Sequence, residues 1–310
     1  MASKRGNVLT DPCNRKGGMN RSVRLPFFEL VAQDIAEVDV QRLHALSLAV
    51  GWSHRAKDWD LMRRIGRGIV AADGIGRVFG SAMWFPQGED FATIGLVITT
   101  PRIQAQGGGR WLMEQVFEQC GNRNLALNAT PAADRLYASL GFTKEAIVYM
   151  RQGTVPSTLP ATPALDGELV ALAATDVAEL TDLDTRAFGS NRGNVLTLLA
   201  EGASICALKR GGAIIGYSMC REFGRGRLVG PLVAQNEADA VHLTAVHLKN
   251  LTGRFVRVDT RETGGIFAEF LQQSGLEVVE TVTTMSKGRR FLNRKDQEPL
   301  VYGLAGHALG

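Results

Sequence analysis

The run Ile98-Thr-Thr-Pro-Arg-Ile-Gln-Ala-Gln-Gly-Gly-Gly-Arg-Trp-Leu-Met-Glu114 joins a β-branched strand end to a polar turn, three consecutive glycines and a helix-like apolar pattern. Residues of these types in this order can hold an anion. Amides freed by small residues at a helix start point at the charge, and the helix dipole adds roughly 0.3 to 1 kcal/mol per charge interaction. A Cβ at the glycines would block close approach of the backbone. Two familiar phosphate fingerprints do not fit. A dinucleotide loop wants Gly-x-Gly-x-x-Gly, but position 112 is Leu; a P-loop wants Gly-Lys-Ser/Thr, but Gly109 is followed by Arg110 and Trp111. What is present is Gln104-x-x-Gly107-x-Gly109.

The elements that must carry this turn follow from the apolar spacing. Residues 24–31 read as a strand, 32–46 as a helix, 57–65 as a short helix, 68–73 and 77–85 as two strands around a tight turn, and 91–100 as an apolar strand running into the glycines. A helix over 110–120, a strand at 125–128, a helix over 131–140 ended by Gly141 and a strand at 146–150 complete the unit. Thr154 to Pro163 is a Pro/Thr-rich linker. Beyond it the order recurs at an offset of about 135 residues: Gly80 with Gly216, Gly95 with Gly230, Leu140-Gly141 with Ser274-Gly275, Met150 with Met285 and Gly153 with Gly288. The fold class expected is α/β, as a tandem repeat of one fold.

The glycine turn is followed about 30 residues later by Leu136-Tyr-Ala-Ser-Leu-Gly-Phe142, with Asn128 at a strand end before it. Together these resemble the two motifs of the GNAT N-acetyltransferase superfamily, its acyl-CoA loop and its LYxxLGF helix. The resemblance covers 24–153, and the repeat extends the fold over 165–288. It implies two tandem GNAT-like domains, each a mixed, splayed sheet flanked by helices. The amides of Gln104, Ala105, Gln106, Gly107, Gly108, Gly109 and Arg110 would bind the coenzyme A pyrophosphate of acetyl-CoA, used as cosubstrate without a metal. Val97, Ile98 and Thr99 would offer backbone groups to the acetyl carbonyl and pantetheine arm, and Asn128 a cofactor contact.

Tyr137 matches the tyrosine that many members place near the cofactor sulfur. A phenol of pKa about 10 can protonate a leaving thiolate of pKa about 8.5 while staying neutral itself. An amine of pKa about 10.4 must lose a proton first, at roughly 4.6 kcal/mol at pH 7, so a base should help; Glu89, Asp90 and His54 are the nearby candidates, and His44 is read as structural. All four tryptophans fall in the first half. Trp52 and His54, between the first two helices, together with Trp84, are expected to wall an acceptor pocket.

The second half departs from the motif at its most diagnostic point: Leu232-Val-Ala-Gln-Asn-Glu-Ala-Asp-Ala240 holds no glycine and has two acids near the helix start, which would repel a pyrophosphate. It also resembles the C-terminal domain of a tandem subgroup, through Ala187-Phe-Gly-Ser-Asn-Arg192 and Thr283-Thr-Met-Ser-Lys-Gly288. Tyr217, Arg221, Glu222 and Asp259 are its candidates for acceptor contacts. The tail 289–310 is expected to dock a terminal helix.

Composition narrows the classes. Hydrophobic residues make up 45% and charged ones 21% of 310, ordinary for a globular protein. The net +4 resides in the tails: Lys4, Arg5, Arg15, Lys16, Arg21 and Arg24 oppose only Asp11 in residues 1–24, and Lys287, Arg289, Arg290, Arg294 and Lys295 oppose Asp296 and Glu298 in 287–310. The body is therefore acidic, and no nucleic-acid partner is expected. Residues 1–23 read as a disordered basic tail, within which Met19 can serve as a start. No run approaches the roughly 18 apolar residues of a membrane span, and no signal-peptide core precedes the fold. A cytoplasmic protein is expected, monomeric or homodimeric, with Cys13, Cys120, Cys206 and Cys220 reduced. The expected activity is transfer of acetyl to a primary amine, of a small molecule in the first instance, with protein or peptide acetylation and a non-catalytic acyl-CoA sensor as alternatives.

Overall fold

The computed structural model describes residues 22–25, 28–292 and 299–310. Cys13, Met19, most of the basic tail and the charges at 294–298 lie outside these. Ser22 and Val23, expected in the tail, belong instead to a strand.

The first unit runs β1 (Ser22–Leu25), β2 (Phe28–Asp34), α1 (Val40–Ala49), α2 (Ala56–Ile65), β3 (Arg67–Ala72), β4 (Val78–Gln87), β5 (Phe91–Thr99), α3 (Gly108–Cys120), β6 (Asn124–Ala129), α4 (Asp134–Ser139) and β7 (Thr143–Thr154). The second repeats the plan: β8 (Glu168–Leu172), α5 (Thr181–Phe188), α6 (Gly193–Ala200), β9 (Ala203–Arg210), β10 (Ala213–Phe223), β11 (Gly226–Ala234), α7 (Glu237–Leu248), β12 (Phe255–Thr260), α8 (Gly265–Gln273), β13 (Glu277–Lys287) and β14 (Leu300–Gly303). The helix expected over 32–46 starts later, because Ala32–Asp34 pair with Ile69–Ala71 in the sheet and Asp39 caps α1 by accepting from the Gln41 amide.

The two units do not close separately. One sheet runs β1-β2-β3-β4-β5-β6-β13-β7-β12-β11-β10-β9-β8, with β14 paired to β11. The strand after the last helix of each repeat has crossed to the other: β13, after α8, pairs antiparallel with β6, and β7, after α4, pairs antiparallel with β12, while β7 and β13 pair with each other along most of their length. The helices share a core too. Trp59 and Met62 of α2 and Leu43 of α1 pack with Leu196 and Leu199 of α6 and with Tyr217 of β10 in one apolar cluster. On the other sheet face α3 contributes Leu112, Met113 and Val116 to a separate cluster with Phe79 and Leu127. Among the described residues no helix is long and apolar enough to cross a membrane.

The segment 300–310 is not a docked helix. It enters as β14 and continues over both units, and its path explains the difference: Leu232 to Ala234 offer an unpaired strand edge where β11 leaves β12, and β14 fills it.

Candidate active site

The site begins where β5 parts from β6. The two pair in parallel only over Phe91–Ile94 with Asn124–Leu127. Just beyond, Leu96 and Val97 stand opposite the single residue Ala82 of β4, between the pairs Met83 with Gly95 and Ser81 with Ile98, which is a bulge. Leu96 is held at φ 51°, a left-handed conformation uncommon for a branched side chain, and its carbonyl accepts from the buried Ser81 hydroxyl at 2.7 Å. The bulge turns β5 away from β6 and takes Val97 out of the ladder.

After β5 the chain makes a turn anchored by fully buried Ile103. The Ile103 and Gln104 amides donate to the Thr100 carbonyl at 3.0 and 3.2 Å, so Gln104 contributes its side chain, bonded to the Thr99 carbonyl, to the loop's shape rather than a free amide. From Ala105 through Arg110 the amides have no backbone acceptor among the described residues; the ladder of α3 resumes with Trp111 donating to Gly107. Gly107, at φ 90° with open space around it, makes the left-handed step that starts the helix. Arg110 donates to the Ser139 hydroxyl at 2.7 Å, tying the cradle to α4. Two arginines and no acid lie in residues 101–110. These features fit a pyrophosphate.

α4 places Tyr137 under the splay. The residue is 6% exposed, and burial raises its phenol above the usual value, so it keeps its proton at every working pH. Tyr137, Val97, Asn128, Trp52 and His54 all line one cavity of about 420 Å³. Its far wall comes from the second unit: Arg221 and Phe223 of β10, Arg257 of β12, Glu280 of β13 and residues 305–309. That wall was not foreseen in full, because Glu280 reaches the cavity on the exchanged strand β13 and Arg257 on β12, which the exchanged β7 joins to the sheet.

Other expected residues are placed elsewhere. Glu89 and Asp90 sit on the β4–β5 turn, at the paired end of β5 and outside the cavity lining; Asp90 lies 3.7 Å from Arg289, and its carbonyl accepts from the Asn124 amide. Trp84 is buried on the α3 side, donating to Gln119 at 3.0 Å, because it alternates with Met83 and Phe85, which pack into the apolar core on the opposite sheet face. Asn128 lines the cavity with its amide already committed: it accepts from Thr284 at 2.7 Å and donates to the His307 carbonyl at 2.8 Å. His54 is an ill-suited base, since burial, with Arg257 adding repulsion, pushes it down to about 4. His44 takes up the His54 carbonyl at 2.9 Å.

In the second wall, Tyr217 bonds Asp184 inside the shared core, and Glu222 pairs outward with Lys57. Burial opposes ionisation of Asp259, but Arg257 and His307 hold its carboxyl well below the usual range.

The corresponding place in the second unit is filled from within. β11 and β12 pair only at Arg227–Leu228 with Val256–Arg257, and the gap beyond is taken by β14 and by the Leu304 amide donating to the Asp259 carbonyl. At the start of α7 the Asn236 side chain accepts from the Asp239 amide, and Glu237 accepts from the Phe267 amide at the start of α8. Carboxylates stand where the first unit has bare glycine amides.

Comparison with known proteins agrees with this geometry. Two models of the GNAT acetyltransferase domain match, one over residues 64–144 and one over 180–303. An uncharacterized N-acetyltransferase of Bacillus subtilis, YitH, is 31% identical over 154 residues, 49% of this chain and 54% of its own, so the match spans about half that relative. A holothin acyltransferase of a Pseudoalteromonas species is 24% identical over 65% of this chain and 68% of its own. The crystal structure of a Pyrococcus horikoshii protein, provisionally described as an acetyltransferase, superposes with a TM-score of 0.73 over 91% of this chain and 96% of its own at 18% identity, which speaks for the fold. With both halves matched and the same splayed sheet built twice, the chain belongs to the GNAT acetyltransferase family and carries two of its domains in tandem.

Proposed function

We propose that the chain transfers an acetyl group from acetyl-CoA to a primary amine of a small molecule, by direct attack, at the first unit alone. The observation that carries this reading is convergence: the bulged Val97 and the buried, protonated Tyr137 line one cavity, and the bare amides of Ala105–Arg110 follow directly on β5 and are tied to α4 by Arg110. Acetyl-CoA supplies the activated thioester. The cradle holds its pyrophosphate, and the Val97 backbone orients and polarises the acetyl carbonyl. Tyr137 gives its proton to the departing sulfur as the C–S bond breaks, and the proton that the amine nitrogen loses passes through water and restores the phenol.

Both units wall the cavity, and its volume suits a small ligand better than a protein surface. The acyltransferase relative named for holothin, which spans both halves, points the same way. The second unit, with β14 in its splay and Glu237 and Asp239 at its helix start, is read as a scaffold without a coenzyme site.

Calorimetry with acetyl-CoA and a thiol-release screen against amines, amino acids, polyamines and aminoglycosides test this together. One equivalent bound per chain and thiol release with at least one amine class are expected. Two equivalents would give the second unit a site, and binding without turnover would favour an acyl-CoA sensor.

A further inference from the structure

Arg221 lines the acceptor side of the cavity and has no part in the transfer chemistry. It is 3% exposed. Its Nη2 donates to the Ala305 carbonyl at 2.7 Å, while Nε and Nη1 have no hydrogen-bond partner among the described residues. The acids that act on it are already engaged. Asp58 accepts from the Arg55 guanidinium twice at 3.0 Å, from the Arg55 amide at 2.8 Å and from the Gly224 amide at 3.0 Å; Asp259 accepts from Arg257 at 2.7 and 2.8 Å. Burial pushes the Arg221 guanidinium down to about 10, which still leaves it charged at neutral pH. Phe223, with its ring 5.2 Å away, offers only a π face. A buried guanidinium without a counter-ion is costly, and the natural way to offset that cost is an anion delivered by the ligand.

The other charges around the cavity fix how many anionic groups it takes. Arg257 is neutralised by Asp259, and Arg225 and Glu280 are both exposed and of opposite sign. What remains is one positive charge. A phosphate monoester brings nearly two charges to it; a carboxylate brings one.

We infer that the acceptor is an amine that also carries a carboxylate, an amino acid or a compound built like one, with Arg221 as the partner of that carboxylate. The inference rests on the acetyl-transfer reading and narrows its substrate class.

The test pairs each α-amino acid with its methyl ester in the acetyl-CoA thiol-release assay. Binding of N-acetyl amino acids, which keep the carboxylate and lack the amine, is measured alongside by calorimetry. The free acids are expected to exceed their esters about 100-fold in kcat/KM, and R221Q to collapse that ratio towards one and to weaken N-acetyl amino acid binding by a similar factor. R221K, which keeps a donor for Ala305, is expected to fall between. Esters used as well as acids, or binding indifferent to R221Q, would overturn the inference while leaving acetyl transfer intact. Arg221-dependent binding with no amine turned over would sink acetyl transfer and leave the carboxylate site standing. Neither turnover nor binding would sink both. The acid-to-ester comparison on the unaltered protein decides the matter even where R221Q fails to fold.

Discussion

Tyr137 is nearly removed from water, and that burial opposes phenolate formation. The proton therefore stays on the oxygen across the whole working range, and in the proposed reaction it is the proton given to the departing sulfur. Tyr137→Phe is therefore expected to lower kcat by about 10²-fold or more with little change in acetyl-CoA affinity, measured by steady-state kinetics and calorimetry. The motif at 136–142 singled this residue out in the sequence, because a tyrosine at that place in the motif is a local signal, and the fold sets it in the cavity wall. Glu89 and Asp90, the candidate bases, lie outside the cavity lining: they are close to Val97 in sequence, yet a strand of nine residues places them at its opposite, paired end. Arg221 could be named from the sequence as a charged residue of the second half, but not as an unpaired one, because only the fold engages both Asp58 and Asp259 elsewhere.

At the scale of elements, the glycines at equivalent places in β5 and β11 face the same neighbour. A Cβ on Gly95 would stand 2.4 Å from the Ala308 Cβ, and one on Gly230 would stand 1.9 Å from the Leu304 carbonyl oxygen. Both positions admit the segment 304–310, which Arg192 holds at Gly310 and Thr93 holds at Ala308. Gly95→Ala is expected to destabilise the fold by about 1–3 kcal/mol through overpacking and to raise the acceptor KM more than that for acetyl-CoA, because the displaced segment walls the acceptor side. Melting curves and a KM comparison check it; a rise confined to acetyl-CoA would contradict the placement. The pairing of Gly95 with Gly230 was readable as a repeat. Its cause was not, since periodicity reports that two positions are alike without reporting what packs on them.

For the whole molecule, two histidines set the acid limit, His247 buried and His54 half-buried. Burial pushes His54 in the cavity wall and His247 in α7 to about 4, while the unfolded chain titrates near 6.5. Between those values the unfolded state binds protons that the folded state does not, so stability is complete above pH 6.5 and falls as pH drops towards 4, by roughly 3 kcal/mol for each group. Denaturant midpoints measured across that window are expected to decline, and His247→Asn, which keeps a polar partner for Ser218, is expected to flatten part of the slope. A midpoint independent of pH from 6.5 to 4 would contradict the burial of both rings.

The crossing of β7 and β13 carries a consequence for how such a gene can change. A duplicated domain with no ligand of its own is ordinarily free to be deleted. Here the first unit's β6 is flanked by β13, and the last strand of the first unit lies in the second unit's territory against β12. Removing either half would strip the other of its neighbouring strand and expose a long unpaired edge. The second cradle can therefore erode residue by residue, while the second fold has to be inherited entire.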